Sequence, residues 1–240
     1  MTLTMAQRVA LRDIRRYGNP AVLDVGCGTG EFLAAAGQFA RLVTGTELTV
    51  ASGSHAVTRL IPYSGVVHFT GDPRDVPARG FSVVTCFEVI EHVFDPWEFL
   101  ATMPPGVPTW LSTPNADRWS VKLTGRYEPW DFPPNHLRRF TATTFAALLR
   151  EAGYHDITVR EMPVTGREVL QPLIAHVSYK IGMQRNVAEY DQTTPGPGTL
   201  RRLARLLKVG TVPATALVAA ALNARGYKGG NLLAYGVRRA

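Results

Sequence analysis

The sequence predicts an α/β fold, a mainly parallel sheet with helices on both faces. Three observations predict it. Short apolar runs alternate with amphipathic segments along residues 5–162. A glycine-rich turn links the first run to the helix after it. Acidic residues, Asp24, Glu47 and Asp72, stand at the ends of three successive runs.

The elements follow in order. Residues 5–17 have helical periodicity and stop at Gly18, read as a left-handed cap; residues 1–18 form an N-terminal helix segment. Strands are expected at 21–25, 42–46, 66–70, 81–87, 109–112 and 157–162, with a seventh at 231–237. Helices are expected at 31–36, 51–60, 95–103 and 141–152. Asp95 is the N-cap of its helix, with Pro96 in the first turn, where the missing N–H costs nothing. The alternation stops at Pro163, and residues 163–228 read as an insertion, basic and partly helical, before the last strand. Pro195-Gly196-Pro197-Gly198 breaks it, and Leu200–Val209 is amphipathic, with leucines opposite basic residues. The whole chain, 1–240, reads as one domain.

Composition narrows the class. A 240-residue chain with 45% hydrophobic and 19% charged residues can bury a large core and is not disordered. Two cysteines cannot make a disulfide framework. The net charge of +7 is unevenly spread. The last 49 residues hold eight basic residues and no acidic one, whereas residues 1–191 hold 18 basic and 19 acidic. Such a tail suits phosphates of nucleic acid, an anionic membrane surface reached peripherally, or plain solvation. Met1–Gly18 has no signal-peptide core, and Ala216–Leu222 is too short to span a bilayer. A cytoplasmic location is expected.

The loop Leu23-Asp24-Val25-Gly26-Cys27-Gly28-Thr29-Gly30-Glu31 follows a strand and opens a helix. Glycines allow close backbone approach to a ligand. The spacing is GxGxG, and Glu31 stands where a dinucleotide fingerprint needs its last glycine; a carboxylate there would repel a pyrophosphate. This argues against a nicotinamide oxidoreductase. Glu47 closes the second strand, where a carboxylate accepts both ribose hydroxyls. Gly71-Asp72 follows the third and offers an acceptor for an adenine amino group. A nucleoside with a cationic tail fits these acids, and S-adenosyl-L-methionine is such a molecule.

From Pro20 to Tyr154 the chain resembles the class I S-adenosylmethionine-dependent methyltransferases, with VLDVGCGTG similar to their first motif. The resemblance implies a Rossmann-like seven-stranded sheet. It also implies that Gly26, Gly28 and Gly30 line the methionine part, Glu47 binds the ribose, Leu48 packs on adenine and Asp72 takes its amino group. Asp24, Cys27 and Phe87 complete the expected cofactor set. Two positions depart from the family pattern. Pro73 has no N–H to offer the adenine ring, and Ser82 replaces a frequent aspartate before the fourth strand.

Phe87-Glu88-Val89-Ile90-Glu91-His92-Val93 ends the fourth strand, so it faces the ligand side of an open α/β sheet. On a helical turn its acids and imidazole would share a face and could hold a divalent ion. With Ser112-Thr113-Pro114-Asn115 and Pro134-Asn135-His136-Leu137, this pattern resembles the UbiG-like ubiquinone-biosynthesis O-methyltransferases in part. It is also similar to the small-RNA 3′-terminal 2′-O-methyltransferases, which hold magnesium on two Glu and two His. That similarity implies Glu88, Glu91, His92 and His136 as ligands of Mg²⁺ or another divalent cation. Alternatively, His92, His136 or Glu88 acts as the base that takes the acceptor's proton. Trp119, Tyr127, Trp130 and Phe132, within residues 114–140, are expected to form an aromatic lid over the acceptor, or else a satellite core. Cys27 and Cys86 read as reduced packing residues.

The expected activity is methyl transfer from S-adenosylmethionine to a hydroxyl of a small molecule such as a catechol or sugar. The alternatives are ribose 2′-O-methylation at an RNA end, metal-free N-methylation, and cofactor binding without transfer.

Overall fold

The computed structural model describes residues 3–63, 65–70, 72–76, 80–169 and 213–239. It divides into two compact units. The first comprises residues 1–116, 131–162 and 231–240, and the second residues 117–130 and 163–230.

The first unit carries the sheet. Its strands are β1 (Ala21–Val25), β2 (Leu42–Thr46), β3 (Gly65–His68), β4 (Val83–Phe87), β5 (Pro108–Pro114), β6 (Tyr154–Glu161) and β7 (Asn231–Arg238). Their order is β3-β2-β1-β4-β5-β7-β6. The first five are parallel, and β7 runs antiparallel between β5 and β6. The seven strands expected from the sequence are therefore all present. The strand order reverses between β1 and β4, which opens a crevice off their carboxyl ends.

Alternation along the strands explains the two covered faces. Val22, Val83, Trp110 and Leu233 face a core with α1 (Met5–Ile14), α2 (Glu31–Ala36) and α3 (Val50–Leu60). Their neighbours Leu23, Val84, Leu111 and Leu232 face the opposite core with α4 (Pro96–Ala101) and α6 (Ala142–Glu151). Sequence signals fix the helix ends. Thr4 and Gln7 form a capping box on α1, and the Asp95 carboxylate accepts the Trp97 and Glu98 N–H groups. Gly18 has φ 71° and ψ −130°, so it is not the expected left-handed cap; a 3₁₀ turn, Arg15–Tyr17, ends the segment instead. Ser82, just before β4, ties the start of β1 to that strand: its Oγ accepts the Ala21 N–H at 2.8 Å.

The second unit contains α5 (Trp119–Thr124) and helical backbone over residues 166–169 and 213–224. Val164, Val169 and Ala219 form a small core against Trp119, Leu222 and Tyr227. The insertion expected at 163–228 thus shares its unit with residues 117–130. The Pro195–Gly198 breaker and the amphipathic Leu200–Val209 segment, on which the peripheral membrane expectation rested, lie outside the described residues. No helix among the described residues is long and apolar enough to cross a membrane.

Candidate functional site

The glycine loop leaves β1 and turns into α2. Gly28 has φ 53°, a left-handed conformation that favours glycine, and a Cβ there would meet nothing within 4 Å. Open space over an exposed stretch of backbone is what a ligand lying on this loop requires. Gly26 sits closer to protein: its Cβ would come within 2.5 Å of Val89 Cγ2. The loop therefore packs directly on the segment that follows β4.

Glu47 links the loops after β1 and β2. Its Oε2 accepts the Gly28 N–H at 2.9 Å and its Oε1 the Thr49 N–H at 2.8 Å. A carboxylate has about four acceptor sites, so capacity remains for hydroxyls. Leu48 beside it is 76% exposed, an apolar surface without a protein partner over most of its area. Asp24 is buried at the end of β1 and accepts Thr85 Oγ1 at 2.7 Å. Burial raises its carboxyl to about 7; the Glu47 charge adds to this and the Thr85 bond opposes it. Burial likewise drives the Cys27 and Cys86 thiols upward, so neither is a ready thiolate. Glu31 opens α2 and lies 3.7 Å from Arg59.

Two cofactor expectations need correction or qualification. Phe87 is 7% exposed and packs on Phe32, ring centroids 4.6 Å apart. It shares strand parity with Val83, so it faces the core and not the ligand crevice. Asp72 caps a 3₁₀ turn, Pro73–Asp75, and both its oxygens accept from Arg74. This guanidinium holds the Asp72 carboxyl below its usual range. An adenine amino group must compete with Arg74 for it. Beside Asp72, a cavity of about 300 Å³ is lined by Val93, Phe94, Asp95, Glu98, Phe99 and Thr102. Gly71 lies outside the described residues.

The acid–histidine segment is not a single helical face. β4 stops at Phe87, Glu88 takes φ 56°, and a 3₁₀ turn covers Ile90–His92. That turn separates the four expected ligands. Glu91, His92 and His136 each offer a ligand atom within 4.8 Å of the others. Glu88 is elsewhere: its Oε1 accepts Ser112 Oγ at 2.6 Å and its Oε2 accepts Asn231 Nδ2 at 3.1 Å. Burial pushes Glu88 up to about 7, against those two bonds. Glu91 is pushed well above its ordinary range by burial and by the Glu88 charge.

Backbone bonds assemble the trio. The Glu91 carbonyl accepts the N–H groups of Leu137 and Arg138 at 2.8 and 3.2 Å, which pins the His136 loop to the turn. The two imidazole rings lie 4.9 Å apart. His92 Nδ1 is 2.5 Å from the Asn135 carbonyl, which can only accept, so Nδ1 is the donor and Nε2 is the ring nitrogen left for another partner. That Nε2 lies 3.8 Å from Glu91 Oε1. Glu91 is 1% exposed; Thr113 donates to its Oε2, while Oε1 has no hydrogen-bond partner. A buried carboxylate oxygen left without a donor is costly. A cation, or a proton, at this point would satisfy it. The residues therefore fit a divalent ion, with one oxygen and two nitrogens as donors.

The aromatic residues expected as a lid divide between the two units. Trp119, Tyr127 and Trp130 belong to the second, where Trp119 packs in the small core and Arg118 lies over the Tyr127 ring. Phe132 belongs to the first, with Arg139 4.8 Å from its ring centre.

Sequence reading missed Asn231, Thr85 and Thr113. Each had a signal: a polar residue in or beside a buried apolar strand needs a partner. All three donate to carboxylates, Asn231 to Glu88, Thr85 to Asp24 and Thr113 to Glu91.

A doubly covered, seven-stranded sheet with an antiparallel β7, a glycine loop after β1 and an acid after β2 defines the class I methyltransferase type of fold. The chain belongs to the methyltransferase-domain family, whose profile matches residues 5–159. It is 31% identical over 154 residues to a "probable S-adenosylmethionine-dependent methyltransferase" of Mycolicibacterium smegmatis, covering 62% of this chain and 54% of that one. It is 32% identical over 118 residues to the ubiquinone biosynthesis O-methyltransferase of Histophilus somni, covering 43% and 50%. The chain spans about half the length of these curated relatives. Among solved structures, a SAM-dependent methyltransferase from Archaeoglobus fulgidus matches with TM-score 0.53 and 17% identity over 97% of this chain and 94% of that one. The phosphoethanolamine N-methyltransferase 2 of Haemonchus contortus, in complex with S-adenosyl-L-methionine, matches with TM-score 0.57 and 16% identity over 98% and 53%. These two likenesses concern the fold.

Proposed function

We propose that the protein is an S-adenosylmethionine-dependent O-methyltransferase acting on a hydroxyl of a small molecule, assisted by a divalent cation. The observation that carries the finer reading is the orphaned Glu91 Oε1 facing two imidazoles, on a segment that packs against Gly26 of the glycine loop. The curated ubiquinone O-methyltransferase relatives support oxygen as the accepting atom.

S-adenosylmethionine, when bound, would supply a sulfonium methyl: the C–S bond would break as the C–O bond forms, the sulfur would leave as the thioether of S-adenosylhomocysteine, and the hydroxyl proton would pass to Glu88 or to water. The chain's own groups bind and orient. Gly28 and the neighbouring loop backbone lie under the methionine part, Asp24 offers a buried carboxylate to positive charge, Glu47 takes the ribose hydroxyls, and Leu48 covers the adenine. Glu91, His92 and His136 would hold the cation, whose chemistry there would be to lower the pKa of an acceptor hydroxyl. A donor set of one carboxylate and two imidazoles suits Mn²⁺, Fe²⁺ or Zn²⁺ better than Mg²⁺, which prefers oxygen. Glu88, outside that set, faces the acceptor as hydrogen-bond acceptor or base.

Calorimetry on protein loaded with S-adenosylhomocysteine tests this reading. Mn²⁺ should bind saturably, and His136→Ala should weaken it at least about tenfold. With the metal bound, a catechol should be methylated on oxygen. Intact cofactor binding with no metal response would remove the cation and leave metal-free N- or O-methylation, with His92 and His136 as bases. Absence of any methyl transfer would leave cofactor binding alone. Methylation of an RNA 3′ end in preference to catechols would move the reading to ribose.

A further inference from the structure

Thr113 lies on β5 with its side chain turned into the core. Its parity with Leu111 places it on the face that carries Val84, Cys86, Ile90 and Leu232. It is fully buried. A hydroxyl in such surroundings is costly unless it is hydrogen-bonded, and a valine would fill the same space without that cost. The bond Thr113 makes is to Glu91: its Oγ1 donates to Oε2 at 3.2 Å. A β-branched side chain on a strand has few χ1 choices, so β5 sets the direction of this donor.

Glu91 is held from two further sides. Ile90 is fully buried, which seats the 3₁₀ turn Ile90–His92 on the same core. The Glu91 carbonyl accepts the Leu137 and Arg138 N–H groups. These contacts fix the backbone and leave the carboxyl free to rotate, since the last torsion of a glutamate is broad and roughly two-fold. Thr113 removes that freedom. With Oε2 on the Thr113 hydroxyl, the oxygen left over is Oε1, which is buried, has no hydrogen-bond partner and lies 3.8 Å from His92 Nε2. The His92 ring is fixed in the same manner, by the Asn135 carbonyl on its Nδ1. The oxygen and nitrogen that face each other are each the second atom of a group whose first atom is tied to the chain.

We propose that Thr113 is a positioning residue for the divalent cation: it holds Glu91 Oε2, so that Glu91 would meet the ion through Oε1 alone. The inference rests on the cation reading above. A partner that orients a ligand from behind is as much part of a cation site as the ligand itself. A one-oxygen Glu91, with His92 and His136, offers three donor atoms. Mn²⁺, which takes about six ligands, would keep about half of its positions for oxygens of the acceptor and of water. A Glu91 free to turn would close on the ion with both oxygens and take one of those positions.

Calorimetry on the full chain loaded with S-adenosylhomocysteine and titrated with Mn²⁺ tests the assignment. Thr113→Val keeps the shape and removes the donor; it should weaken Mn²⁺ binding by about 10- to 100-fold and leave S-adenosylhomocysteine affinity unchanged. Thr113→Ser keeps the donor and should restore most of the Mn²⁺ affinity. A role in packing alone would order the two variants the other way, since serine leaves a methyl-sized gap and valine leaves none. Unchanged Mn²⁺ affinity in Thr113→Val, or weaker binding by the serine variant than by the valine one, overturns the inference and leaves the cation reading intact. A second measurement uses the unaltered protein and depends on no variant folding: the infrared difference spectrum between Mn²⁺-loaded and metal-free protein. Widely split carboxylate stretches, the sign of one-oxygen coordination, are expected; closely spaced ones, the sign of two-oxygen coordination, overturn the inference. Absence of Mn²⁺ binding by the unaltered protein overturns the cation reading and this inference together.

Discussion

Glu47 and Gly28 are joined by a single bond that crosses from one strand end to the next: Glu47 Oε2 accepts the Gly28 N–H at 2.9 Å. The same carboxylate accepts the Thr49 N–H. It therefore shapes the glycine loop, and under the proposed function it also takes the ribose hydroxyls. Replacing it by alanine removes both contributions. Glu47→Ala should lower affinity for S-adenosylhomocysteine by about 10- to 100-fold, the range for charge-assisted hydrogen bonds. A 2′-deoxy analogue separates the two roles. The unaltered protein should bind it more weakly than the parent compound, and Glu47→Ala should bind both alike. A variant that still discriminates between them would remove Glu47 from the ribose.

Asp24 makes stability depend on pH. Its carboxyl is held near 7 in the folded chain by burial, against 3.8 for an exposed aspartate. Between those values the folded state binds the extra proton, so stability falls as pH rises from about 4 to about 7 and is level above that. The total is of order 4 kcal/mol, at about 1.4 kcal/mol per pKa unit. Asp24→Asn should lose Asp24's share of that slope, leaving the share carried by the raised Glu88 and Glu91 carboxyls, and be the more stable form at pH 8 in urea unfolding. It should also bind S-adenosylmethionine more weakly than the unaltered protein at pH 8, since a cation is drawn to the carboxylate. An unchanged slope in Asp24→Asn would assign the titration to another group.

Arg74 occupies both oxygens of Asp72. If Asp72 receives the adenine amino group, this arginine competes with the ligand. Arg74→Ala should then tighten S-adenosylhomocysteine binding by about three- to tenfold, the worth of one ordinary hydrogen bond. Weaker or unchanged binding would mean that adenine does not use Asp72.

The fold was legible because periodicity is local. Strand runs, helix caps and the GxGxG turn are all written within a few residues of one another. The site was legible only in its composition. Glu88 takes φ 56°, a conformation that no side chain advertises, and this one dihedral removes it from the group formed by Glu91, His92 and His136. Its partner Asn231 is 143 residues away in sequence, a pairing that no local pattern encodes. Phe87 was readable and misplaced: its parity with Val83 already directs it into the core. The segment Trp119–Thr124 reads as loop because it is barely more than one and a half turns long, too short for periodicity to show.

In the second unit, Asn223 binds both backbone groups of Val164: its Oδ1 accepts the Val164 N–H at 2.8 Å and its Nδ2 donates to the Val164 carbonyl at 2.9 Å. Val164 is buried in that unit's small core, so water does not readily replace either bond. Asn223→Ala leaves two buried polar groups unpaired, at a cost of about 1–3 kcal/mol for such a group. The Val164 amide should exchange with solvent about 10- to 100-fold faster, while amides of β1 and β4 keep their rates, as expected for a local opening. Asn223→Asp retains an acceptor for the Val164 N–H and loses the donor, so it should recover part of the protection at that amide. Uniform acceleration across β1 and β4 would instead make Asn223 a determinant of global stability, and unchanged exchange at Val164 would deny it a structural role.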